Sequence, residues 1–139
     1  MDEFSILSVN GSGGLFFHDR SPFDTHEPIY CFGVRVTGHN LSAHATVHCG
    51  CIPSHHPAPF FAELAMRWAD WEGELVWSSI EGELTLRCSR DSLGHISIRT
   101  ELASGPMPDD WKVEATIVVE AGQLESISRR ANVFFGNPQ

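Results

Sequence analysis

Apolar side chains return at every second position through much of this chain, the spacing that places them on one face of a β-strand. Phe4, Ile6 and Leu7 form a short apolar piece. Asn10-Gly11-Ser12-Gly13-Gly14 reads as a turn, and Leu15-Phe16-Phe17 resumes a strand. Longer strands are predicted over residues 29–37 and 42–52, with Gly38-His39-Asn40-Leu41 between them. Pairing Thr37 with Ser42 sets Tyr30, Phe32, Val34 and Val36 opposite Cys49, Val47, Ala45 and Ala43, all on one face. A slip of one residue would drive His44 and His48 into that face, so the apolar pattern selects the register. The other face carries Arg35, His44, Thr46 and His48 and is expected to be the wetter one.

The period changes after Pro53-Ser54-His55-His56-Pro57-Ala58-Pro59. Proline suits the first turn of a helix and not its interior, so this stretch should end a sheet segment and begin a helix. Phe60, Phe61, Leu64, Ala65 and Trp68 then recur at helical spacing, with Glu63, Arg67 and Asp70 on the opposite side. The pattern predicts a tryptophan-bearing helix over about 58–71, with Glu63 in its first turn and Gly73 as its stop. A strand follows at 74–77. Residues 83–90 and 95–102 alternate cleanly around Ser92-Leu93-Gly94, which suits a three-residue hairpin loop. That loop pairs Asp91 with His95, Cys88 with Ile98, and Leu84 with Leu102. Gly105-Pro106-Met107-Pro108-Asp109-Asp110 is a loop. The strand at 111–120 gathers Trp111, Val113, Ala115, Ile117 and Val119 on one face. Leu124, Ile127, Ala131 and Phe134 predict a C-terminal helix over about 123–135. Hairpins with short loops need no parallel crossover, so the expected fold is α+β. It is a single domain over 1–139, with one antiparallel sheet of about six or seven strands and both helices packed on one of its faces.

Composition narrows the partners. Nine Lys and Arg face eighteen Asp and Glu, a formal net charge of −9. Such a chain repels nucleic acid and acidic membrane surfaces and steers in a basic protein. No apolar run approaches the roughly 18 residues of a membrane span. The start MDEFSILSVNGSGG has no basic stretch leading into an apolar one, so a cytoplasmic location with reduced thiols is expected. Cys49-Gly50-Cys51 is not a C-x-x-C pair. Cys31, Cys49, Cys51 and Cys88 read as small, buried and inert.

The histidines invite a metal reading, because His48, Cys49, Cys51, His55 and His56 cluster in sequence. Strand alternation works against it. His48 points away from the face of Cys49 and Cys51, and Cys31 across from it makes only two donors, short of the three or four that zinc wants. His44, His48, His55 and His56 are therefore read as solvated or hydrogen-bonded, and no cofactor is expected. Asp91 and His95, with Ser89 and Ser97 nearby, could form half of a catalytic pair, yet a hairpin register sets them opposite each other for structural reasons. No G-x-S-x-G elbow, P-loop or dinucleotide fingerprint is present. Asp70, Glu72, Glu74, Glu81 and Glu83 are interleaved with Trp68, Trp71 and Trp77. Three readings stand: a sugar-hydrolysing carboxylate pair, a solvated acidic rim over a tryptophan core, or a protein-binding patch with aromatic anchors.

The stretch Phe60-Phe61-x-x-Leu64-x-x-x-Trp68-x-x-Trp71-x-Gly73-x-x-x-Trp77, followed by Leu84-x-Leu86, Asp91-x-x-Gly94-His95 and Trp111, resembles a bacterial family of small domains of unknown function, frequent in actinobacteria. The resemblance runs over residues 60–135. The order of elements is also similar to small immunity proteins of bacterial toxin systems, a fold-level analogy. Neither resemblance implies a catalytic residue. The expected function is a non-enzymatic, cytoplasmic protein-binding domain, in its narrower form an immunity protein that masks a basic toxin. Its predicted contacts are Asp70, Glu72, Glu74 and Glu81, with Asp109 and Asp110 as a second acidic edge. The alternatives are a small-ligand or metal-dependent enzyme built on histidines and carboxylates, and a structural module that forms a homodimer through exposed strand edges.

Overall fold

Alternation in the N-terminal part builds a meander of four antiparallel strands: β1 (Glu3–Leu7), β2 (Gly14–Ser21), β3 (Cys31–Gly38) and β4 (Leu41–His48). The computed structural model describes residues 3–24, 26–49 and 55–136. After the proline-rich segment come helix α1 (Ala58–Arg67) and a second meander, β5 (Leu75–Ser78), β6 (Leu84–Arg90), β7 (His95–Ala103) and β8 (Lys112–Glu120). A 3-10 turn over Ala121–Gln123 leads into α2 (Leu124–Phe135). The class is α+β as expected, but the strands form two four-stranded sheets rather than one of six or seven. The break falls where α1 intervenes between β4 and β5, because the strands that pair among the described residues are successive ones with no helix between them. The segment after β1 ties the sheets together. The Val9 N–H donates to the Val118 carbonyl at 2.8 Å, and the Val118 N–H donates to the Ser8 hydroxyl at 3.2 Å.

Both central hairpins keep the register that their apolar faces dictate. Phe32 pairs with Val47, Val34 with Ala45, Val36 with Ala43, and Thr37 with Ser42. In the second sheet Cys88 pairs with Ile98 and Leu84 with Leu102, and Gly94 takes the left-handed φ of +85° that its loop requires. The expected inward face is trimmed at its ends. Tyr30 precedes β3 and is exposed, although its carbonyl still accepts the N–H of buried Cys49. Trp111 precedes β8 and is also exposed. The predicted strand end at residues 50–52 lies outside the described residues.

The first helix starts at Ala58 as expected but departs from expectation in two respects. Starting there puts Glu63 beyond the first turn, where it pairs with Arg67 at 3.3 Å rather than meeting the helix dipole. The helix ends at Arg67. Trp68 is the exposed C-cap residue, and Trp71 lies past the helix, buried, its N–H on the Arg67 carbonyl at 3.2 Å. The second helix follows its predicted stripe, burying Leu124, Ile127, Ala131, Phe134 and Phe135. The helices pack on each other and against the first sheet. Phe61 of α1 meets Phe4 and Phe17 edge-on, and Phe135 of α2 does the same to Phe17 and Phe32. Such pairs add about 0.5–1.5 kcal/mol each beyond the area they bury. Leu84, Leu86, Ile96, Ile98, Ile117 and Val119 from the second sheet join the same core. Among the described residues no helix is long and apolar enough to cross a membrane.

Candidate functional site

Among the described residues, chemistry that the core does not use gathers at the junction of the sheets, in a groove beside α1, and in a polar pocket lined by Glu3, His18, Asp19, Arg35 and His44. The first is the junction of the two sheets at the end of β4. Val47 points inward, so His48 points out. Glu83, one residue before β6, turns its side chain into the fold and is 2 % exposed. Its Oε1 accepts from the Ser79 hydroxyl at 2.8 Å. Its Oε2 accepts from the His48 backbone N–H at 3.1 Å and lies 3.2 Å from His48 Nδ1. The Ser79 hydroxyl in turn accepts the Leu84 N–H at 3.1 Å. Ligand atoms of His48, Glu81 and Glu83 all fall within 4.8 Å of one another. The expectation of Cys31 across from His48 holds in register. The reading of His48 as solvated or hydrogen-bonded holds, since it is exposed and meets Glu83, but the carboxylates it meets come from the β5–β6 turn, which alternation within its own strand could not reveal.

The other histidines divide by environment. His55 stacks on Trp77 at 5.3 Å, with Nε2 at 2.8 Å from the Ser78 carbonyl oxygen. His56 is buried flat against Phe135 at 4.8 Å, and its Nδ1 accepts the Ala58 N–H. Burial first, then the charges of Arg20 and His55, push its pKa down to about 4. His44 is exposed on β4 across from Arg35. His95 Nδ1 lies 3.1 Å from Asp91 Oδ2, while Asp91 Oδ1 accepts the N–H groups of Leu93 and His95. These bonds, the His95 N–H foremost, hold the Asp91 carboxyl below its usual range. The pair is hairpin turn chemistry on an exposed surface. Burial pushes the thiol of Cys49 up to about 11 and that of Cys88 up to about 12. Cys31 is half-buried, and Cys51 lies outside the described residues.

The predicted acidic contacts are not equivalent. Asp70, Glu72, Glu81 and Asp109 are exposed. Glu74 is exposed but lies 3.4 Å from Arg99 Nη2, part of a charge ladder on the outer face of the second sheet. In that ladder Glu101 holds Arg87 at 2.7 Å and Lys112 at 3.1 Å. Asp110 is half-buried. Its carboxylate accepts from the Ser104 hydroxyl at 2.9 Å and from the Met107 N–H at 2.8 Å, which fixes the β7–β8 loop.

The second place is a groove of about 610 Å³ between α1 and β5, lined by Pro59, Phe60, Ala62, Glu63, Met66, Arg67, Val76 and Trp77. Met66 is 85 % exposed. Among the described residues the strand β5 ends its sheet and pairs only with β6. The Ser79 N–H donates to the Leu84 carbonyl, so by alternation Leu75 and Trp77 turn their backbone groups to β6 while Val76 and Ser78 turn theirs away. The position of His55 on the Ser78 carbonyl agrees with this. The segment joining α1 to β5 carries Asp70, Glu72 and Glu74, and the turn after β5 carries Glu81. Carboxylates therefore stand at both ends of β5. Sequence reasoning found the acids and the tryptophans but missed Met66 and Val76, which carry no signal apart from their exposure in the fold.

The model of one family, a family of unknown function, matches residues 6–138 of the chain. The match extends well beyond the 60–135 stretch and takes in the histidine- and cysteine-bearing strands. No curated protein and no solved structure matches the chain.

Proposed function

The chain belongs to that family, DUF6228, and from this premise we propose that it is a non-enzymatic binding domain that takes an extended, basic segment of a partner protein along the groove between α1 and β5. One observation carries the reading: among the described residues an apolar groove lies open beside the outward backbone groups of an edge strand. An extended segment would exchange main-chain hydrogen bonds with Val76 and lay an apolar side chain between Met66 and Trp77. Lysine or arginine on that segment would meet Asp70 and Glu72 at one end and Glu81 at the other. Glu74, drawn to Arg99, contributes less, and Asp109 and Asp110 sit on the separate β7–β8 loop. In its narrower form the proposal makes the partner a basic toxin and this protein its immunity factor. A cytoplasmic setting belongs to the same proposal.

The test uses two defined peptides, one alternating lysine with valine and one alternating glutamate with valine, titrated into isotope-labelled protein. The lysine peptide should give saturable amide shifts at Val76, Trp77 and Met66 that weaken with salt. Val76→Pro, which removes the outward N–H from an edge strand that tolerates proline, and Met66→Asp should each abolish them. An equal response to the glutamate peptide, or shifts that avoid the groove, would overturn the proposal.

A further inference from the structure

The junction at the end of β4 holds a feature that groove binding shares only through Glu81 and otherwise leaves unused. Glu83 is buried, and a buried carboxylate is costly without a positive partner. Among the described residues its only partner of opposite charge is His48, which is cationic only when protonated. The side chain is nevertheless held in place from three directions, by the Ser79 hydroxyl, the His48 N–H and the His48 ring. The carboxylate of Glu81, exposed and free to turn, reaches the same spot. Three donors, one from β4 and two from the β5–β6 turn, thus converge on a place that holds no permanent cation among the described residues.

We propose that His48, Glu81 and Glu83 form a binding site for a divalent transition-metal ion, with zinc the ion their donors suit. One imidazole nitrogen and two carboxylate oxygens make three protein ligands, the number found where zinc keeps a fourth position open. The imidazole argues against calcium and magnesium, which take oxygen ligands throughout. Contraction from 4.8 Å to the spacing of a closed coordination shell needs movement only of His48 and Glu81, the two exposed members. Glu83 is the fixed member, and Ser79 acts as a positioning residue that orients its carboxylate. The ion would also bridge β4 of the first sheet to the β5–β6 turn of the second.

The full chain, purified without a histidine tag and stripped with a chelator, is titrated with zinc chloride in a calorimeter. One saturable site per chain is expected. His48→Ala and Glu81→Gln should each weaken it about tenfold or more. His44→Ala, on the exposed part of the same strand, should leave it unchanged. Glu83→Gln is expected to weaken it as well, but its buried position puts folding at risk. Glu81→Gln on the surface keeps the test decisive. In parallel, the ring nitrogen resonances of His48 should shift on zinc addition while those of His95 stay still. Absence of a saturable site, binding indifferent to both His48→Ala and Glu81→Gln, or equal loss in His44→Ala would each overturn the proposal.

Discussion

Arg20 of β2 reaches the last residue of α2, donating to the Phe135 carbonyl from Nε at 3.3 Å and from Nη2 at 2.9 Å. The same guanidinium donates to the carbonyls of Pro22, Asp24 and Glu27. A helix C-terminus leaves carbonyls without intrahelical partners and carries the negative end of the dipole. A buried cation with several donors satisfies both needs and pins the loop after β2 to α2. Arg20→Ala should therefore cost about 2–4 kcal/mol, since it strands the buried Phe135 carbonyl and releases three part-buried ones at once. Arg20→Lys should recover only part of that, because a point charge cannot reproduce the planar fork. Urea unfolding of the three proteins checks this, and a lysine variant as stable as the wild type would refute it.

His56 should make stability fall on mild acidification. Its folded pKa is depressed from 6.5 to about 4, so between those values the unfolded chain binds the extra proton. The contribution is complete above pH 6.5, declines as pH falls toward about 4, and changes no further below. The loss should amount to at most about 3 kcal/mol by linkage. His56→Phe keeps a ring against Phe135 and cannot titrate. Thermal melts across this pH range should show a shallower decline for the variant, at some cost in stability from the lost acceptor for Ala58.

How far these features could be seen in the sequence depends on range. Registers within hairpins were legible, because a one-residue slip exchanges Val34 and Val36 for Arg35 and Thr37 in the core. The α2 stripe was legible for the same kind of reason. The number of sheets was not. Alternation tells which side chains face the core, not whether β4 and β5 pair across an intervening helix. The end of α1 was hidden by Trp68 and Trp71, which continue the helical period although Trp71 is buried by a turn and held through its carbonyl by Arg90 Nε at 2.7 Å. The junction at His48 was hidden most deeply. Its buried partner Glu83 comes 35 residues later and occupies a position that strand parity assigns to solvent.

The buried thiols should be unreactive in the folded protein. The thiolate is the nucleophile, and burial holds Cys49 and Cys88 protonated well above neutrality. Iodoacetamide at pH 8 followed by peptide mass mapping should leave both unmodified for as long as the protein stays folded, and denaturant should release them together. Modification of Cys88 at the rate of an unfolded control would show that the second sheet opens locally.

Two glycines are held by different obstacles, and the difference is measurable. A Cβ on Gly13 would sit 2.2 Å from the Thr37 carbonyl oxygen, a backbone atom fixed in β3. A Cβ on Gly33 would meet the His18 ring, 2.3 Å away at its nearest atom, and that ring can rotate. Gly13→Ala should destabilise by about 1–3 kcal/mol with no rescue at residue 18. Gly33→Ala should cost less, and the cost should largely vanish in a His18→Ala background. A double-mutant cycle in denaturant tests the coupling.

The neighbouring acids Asp109 and Asp110 separate structural from surface charge. Asp109 is exposed, and its carboxylate has no partner among the described residues. Asp110 accepts from Ser104 and Met107, while Ser104 Oγ accepts the Trp111 N–H at 3.1 Å, so its carboxylate holds the loop that feeds β8. A Cβ on Gly105 would lie 2.5 Å from Asp110 Oδ2, which shows how closely the loop wraps this side chain. Asp110→Ala should lose about 1–2 kcal/mol, the worth of two hydrogen bonds partly open to water. Asp109→Ala should stay within about 0.5 kcal/mol of wild type, the ordinary range for a surface change. If the two variants unfold at the same denaturant concentration, Asp110 is as free as its neighbour and belongs with the steering charges after all.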